Sequence, residues 1–112
     1  MADFNFNAVN IKMDSAEMHS KNYQKFLADQ NIELRSCDMS AGGDIEYKAQ
    51  LIDLKKTKVV AGHTIHLEAE KIICVDSKIA APAIFIPENT VLVDNGCTIE
   101  GTLYRIVDSH EL

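Results

Sequence analysis

The chain has 112 residues, a formal charge of −6 and 46% apolar content. That length makes one domain, large enough to hold a core without staples. The acidic balance works against nucleic acid as the main partner, because phosphate backbones carry the same sign. No apolar run approaches the roughly 20 residues of a membrane helix, and the first residues lack the basic and apolar regions of a secretion signal.

The three cysteines, Cys37, Cys74 and Cys97, are odd in number and lack metal-ligand spacing. Ordinary thiols in a reduced, cytosolic setting are expected.

In residues 1–13, Phe4, Phe6, Val9 and Ile11 are interspersed with polar residues. The segment reads as a flexible arm: a frayed terminus, a strand added to the domain's own edge, or a tether that orders on a neighbouring subunit. Residues 14–112 read as a single β-rich domain. Asp14-Ser15-Ala16-Glu17 offers a variant capping box, and Ala16, Tyr23, Phe26 and Leu27 fall at helical spacing. These features predict one helix over residues 14–29.

Residues 31–37 and 44–53 read as the two strands of a hairpin, with residues 38–43 as the loop. Ile45, Tyr47, Ala49 and Leu51 alternate with Glu46, Lys48 and Gln50, which fits a sheet with one wet face. Residues 54–62 carry Lys55, Lys56 and Lys58, the only basic cluster in an acidic chain. They read as a loop, either solvated or docking an acidic partner. Two strands follow, over residues 63–69 and 71–75. Residues 83–86, between Pro82 and Pro87, read as an edge or a connection. Asp94-Asn95-Gly96 and Glu100-Gly101 divide the last third into a β-meander. No internal repeat is evident.

Little points to bond-making chemistry. On a strand His63 and His66 face opposite ways, His19 stands on the expected helix with no ligand near it, and His110 is in the tail. Gly42-Gly43 is too short for a phosphate loop. The first nucleophile pair to test is Cys74 or Cys97 with His66. The reading is no catalytic site, no cofactor and no metal.

The order of pieces and the ending Gly101, Tyr104, Ile106 and Asp108 (G-x-x-Y-x-V/I-x-D) resemble the small head–tail joining proteins of tailed bacteriophages, of the lambda type. Met1-Ala2-Asp3-Phe4 resembles their opening, and so does Leu51-Ile52-Asp53 followed by Ala61-Gly62. The resemblance implies a small antiparallel β-sandwich or barrel with a mobile arm and a mobile central loop. It implies a non-enzymatic virion protein, made in the host cytoplasm, that self-associates into a ring and meets portal or adaptor and tail proteins. Phe4, Phe6, Val9, Ile11, Lys55, Lys56 and Lys58 would then be interface residues. Two other readings stand beside it: a small bacterial ligand- or protein-binding module of mobile-element origin, which a deep apolar pocket would favour, and an enzyme with a Cys–His site.

Overall fold

The computed structural model describes residues 4–106. Twelve strands form one continuous sheet. They are β1 (Phe4–Asp14), β2 (Glu17–Ser20), β3 (Tyr23–Arg35), β4 (Asp38–Ala41), β5 (Asp44–Lys48), β6 (Leu51–Lys55), β7 (Lys58–Ala61), β8 (Thr64–Glu68), β9 (Lys71–Val75), β10 (Lys78–Pro87), β11 (Val91–Asn95) and β12 (Thr98–Ile106). All the pairings between them are parallel. The chain winds as a three-walled β-solenoid, each winding lying in register on the last.

The first wall holds the second halves of β1 and β3, then β6, β9 and β11. The second holds β2, β4, β7 and the first parts of β10 and β12. The third holds the first halves of β1 and β3, then β5, β8 and the second parts of β10 and β12.

The corner between the first and second walls sets the repeat. Ser15, Ser36, Lys56 and Asp76 all have positive φ, at 56°, 53°, 49° and 47°. An L-residue there costs about 1–2 kcal/mol. Each amide is satisfied by the next winding: Ser15 N donates to Arg35 O, Ser36 N to Lys55 O, Lys56 N to Val75 O and Asp76 N to Asn95 O, at 2.8–3.0 Å. The residue after each turns inward where a small group fits. Thr57 is one of these, and its amide donates to Ser77 Oγ, 20 residues on, at 3.1 Å.

Inside, like stacks on like. Ile11, Ile32, Ile52, Ile72 and Leu92 are successive register partners in the first wall. Met18, Met39, Val59, Ile79 and Ile99 do the same in the second. In the third, Phe6, Phe26, Tyr47 and Leu67 form a column, with the Phe26 and Tyr47 rings stacked at 4.7 Å. Each fully buried side chain of this kind contributes about 1.5–3 kcal/mol. One polar pair is enclosed with them: Tyr47 Oη donates to Gln24 Oε1 at 2.5 Å, and Gln24 Nε2 donates to Met18 O and Ser40 O at 3.3 Å.

Several expectations are corrected. The architecture is a parallel solenoid, so neither an antiparallel sandwich nor a barrel forms. The helix expected over residues 14–29 is the last residue of β1, all of β2 and the first half of β3. The expected hairpin and C-terminal meander are absent, because neighbours in sequence lie on different walls and pair with strands one winding away. The central basic loop is a corner: Lys55 ends β6, Lys58 begins β7, and only Lys56 and Thr57 lie between. The segment read as an arm is, from Phe4 on, strand β1, in register with β3; residues 1–3 lie outside the described residues.

Candidate functional site

A solenoid's middle windings have neighbours on both sides, but its terminal windings have one. β1 pairs only with β3 and β2 only with β4; at the other end β11 pairs only with β9 and β12 only with β10. Among the described residues, each terminal winding therefore presents an unpaired backbone edge and the open end of its inward columns. Unpaired edges are templates for another strand.

The apolar exposure follows the same geometry. Among the described residues, the large apolar side chains that are exposed are Phe6, Val9 and Tyr23 near one end, and Val91, Val93, Leu103, Tyr104 and Ile106 at the other. Val9 and Val91 are the most open, at 53% and 57%. Large apolar groups of the intervening windings are buried or half-buried.

The residues singled out from sequence divide between these regions. Phe6 and Val9 are on the N-terminal edge, whereas Ile11 is buried at 6% exposure and serves the core. Phe4 and Phe6 stack at 6.1 Å, and Phe6 leans on Phe26 at 5.3 Å. Lys55, Lys56 and Lys58 stand together on a mid-solenoid corner, away from both ends. Lys58 lies in register with Asp38 on one side and Lys78 on the other.

The proposed Cys–His pair is not assembled. Cys74 and Cys97 are bonded to each other across 23 residues, which corrects the expectation of three thiols; Cys37 is free and buried. His66 stacks on Phe85 at 4.6 Å, and Phe85 on Tyr104 at 5.1 Å, as an outward ladder on the third wall. A groove of about 770 Å³ runs beside that ladder, bordered by Glu46, Lys48, Glu68, Glu70, Phe85 and Pro87. It is open and lined by charged and apolar groups together, unlike the deep apolar pocket that would favour a binding module.

Two electrostatic features stand out. The Thr64 hydroxyl, 2.6 Å from Asp44 Oδ1, together with His63 at 3.2 Å, holds the Asp44 carboxyl below its usual range. Burial pushes the Tyr47 phenol well above its usual value.

Sequence reasoning missed one cluster. His19 is on a strand, not a helix, and its ring nitrogen lies 3.6 Å from Glu17, with Asp38 alongside on β4. A comparison with protein-family models, curated proteins and solved structures finds no match. Among the described residues no helix is long and apolar enough to cross a membrane.

Proposed function

We propose that this protein is a non-enzymatic assembly subunit: a rigid solenoid that joins a second copy of itself through its terminal windings. The observation that carries this reading is the confinement of exposed large apolar side chains to the two ends. Continuity of register supports a copy as the occupant, since a strand of the same winding extends the existing ladders and columns. Because the body is already ordered, association costs little conformational entropy. Burying Phe6, Val9, Val93 or Ile106 contributes up to about 1.5–3 kcal/mol each. Unlike ends joined in succession give a closed ring or an open filament; like ends joined give a two-fold dimer.

Sedimentation across a concentration series tests this. The native chain is expected to gain mass with concentration, and Val9→Asp and Val93→Asp to suppress the gain. Loss with either variant indicates unlike ends; loss with only one indicates like ends. A monomer at every concentration overturns self-association. The narrower setting, a ring joining a phage head to its tail, draws its support from the residue pattern of the ending. It is tested by the same series with portal, adaptor and tail proteins added.

A further inference from the structure

We infer that Glu17, His19 and Asp38 form a site for a divalent transition-metal ion, with Zn²⁺ the best match, that clips the first winding to the second. β2 is four residues long and pairs with β4 alone. Glu17 and His19 project from one face of it. Asp38 is the register partner of Glu17 on β4. One ligand atom from each of the three lies within 4.8 Å of the others; bonds of about 2.0–2.2 Å hold tetrahedral donors about 3.3–3.6 Å apart, so these exposed side chains would draw in slightly around an ion.

Two further observations point to a cation. Glu17 and Asp38 are like charges directly opposite each other on adjacent strands, an arrangement that destabilises a sheet unless something positive offsets it; Lys58, the partner of Asp38 on its other side, is in none of the ion pairs among the described residues. The His19 ring is also held from behind. Its Nδ1 lies 2.5 Å from Ser40 Oγ, leaving Nε2 on the side of the carboxylates, 3.6 Å from Glu17 Oε1. An imidazole steadied through its other nitrogen is the usual state of a metal-ligating histidine. One nitrogen and two carboxylate oxygens suit Zn²⁺, with water completing a tetrahedron. Mg²⁺, which prefers oxygen ligands and near-ideal octahedral geometry, suits the site less well.

The test is calorimetric titration of the metal-free protein with ZnCl₂, and separately MgCl₂, with hydrogen exchange followed at β2. One Zn²⁺ per chain is expected, with slower exchange in β2. His19→Ala is expected to remove binding, and Ser40→Ala to weaken it about tenfold. His63→Ala, which alters the other histidine–carboxylate contact, is expected to leave binding intact. Folding of each variant is checked by its circular dichroism spectrum, and Asp38→Asn serves if His19→Ala fails to fold. The site is overturned if no Zn²⁺ binds, or if binding persists unchanged in His19→Ala or Asp38→Asn.

Discussion

The two ends of the solenoid finish in different ways. At the N-terminal end most columns stay apolar to the last member, with Phe6, Met13 and Met18 in the positions that Phe26, Leu34 and Met39 occupy one winding in, while Ser20 ends the column of Ala41 and Ala61. At the C-terminal end two columns turn polar. Asp94 follows Cys74, and its carboxylate accepts the Cys97 amide at 2.9 Å. Arg105 follows Ile86, and its guanidinium covers Glu88 O and Thr90 O at 2.9 and 2.6 Å. The same end is tied to the winding below it by Cys74–Cys97. One end is thus partly closed by its own polar groups and a covalent bond, while the other keeps its apolar columns open. Polar terminal repeats are what hold a repeat array apart; the C-terminal end still carries Val91, Val93, Leu103, Tyr104 and Ile106 exposed, so the two ends differ in how their columns finish and not in having apolar surface.

That contrast can be broken from the covalent side first. Cys97→Ser opens a 23-residue link and is expected to cost about 3 kcal/mol in urea denaturation, by the loop-entropy account. Hydrogen exchange should quicken in β11 and β12 while β1 is unchanged; equal quickening at both ends would remove the distinction. Nearer the other end the enclosed polar pair plays the stabilising part. Tyr47→Phe leaves Gln24 Oε1 without its donor and is expected to cost about 2 kcal/mol. In the native chain, Tyr47 should stay un-ionised in an absorbance titration beyond the usual tyrosine range. Its raised phenol value means stability is complete below pH about 10 and is lost as pH rises through the folded value.

Arg105→Ala uncovers two carbonyls at an exposed site, an expected loss of about 1 kcal/mol by thermal melting, with stronger self-association if the guanidinium helps to close that end. Val9→Asp should move stability by less than about 0.5 kcal/mol while reducing association, the reverse of the Arg105 outcome. The smallest effect belongs to Asp44→Asn, away from both ends. A lowered carboxyl value adds stability above the unfolded range and loses it as pH falls through the folded value. The variant should therefore melt slightly below the native chain at pH 7 and converge with it as the pH falls below about 4.

The strand-rich character was legible, because β-branched residues and period-2 alternation mark pleated surfaces whatever their topology. The winding was not, and the corners explain why. Residues 44–53 read as one alternating strand with Ile45, Tyr47, Ala49 and Leu51 on one side. Ile45 and Tyr47 do point inward, but the corner at Ala49-Gln50 resets the parity, so Ile52 and Leu54 are buried and Leu51 faces outward. The same resetting made Ala16, Tyr23, Phe26 and Leu27 mimic helical spacing, although they belong to a corner and a strand. The repeat was on view in Ile11, Ile32, Ile52 and Ile72, spaced by 20 or 21 residues. It was obscured because the corner positions carry unrelated letters: Ser, Ser, Lys, Asp and Gly. Of the candidate interface residues, Phe6 and Val9 belong to an open end, whereas the lysines belong to a corner. Neither the disulfide nor the Glu17–His19–Asp38 cluster could be found without knowing which residues lie one winding apart.

The corner with its left-handed residue has an evolutionary corollary. Because Ser36, Lys56 and Asp76 begin equivalent segments, genetic duplication or excision of one such segment, for instance residues 36–55, joins the chain at a corner where a left-handed residue already stands. Length in this molecule is therefore quantised: the rod can grow or shrink by whole turns, like links in a chain, without any redesign of the remainder.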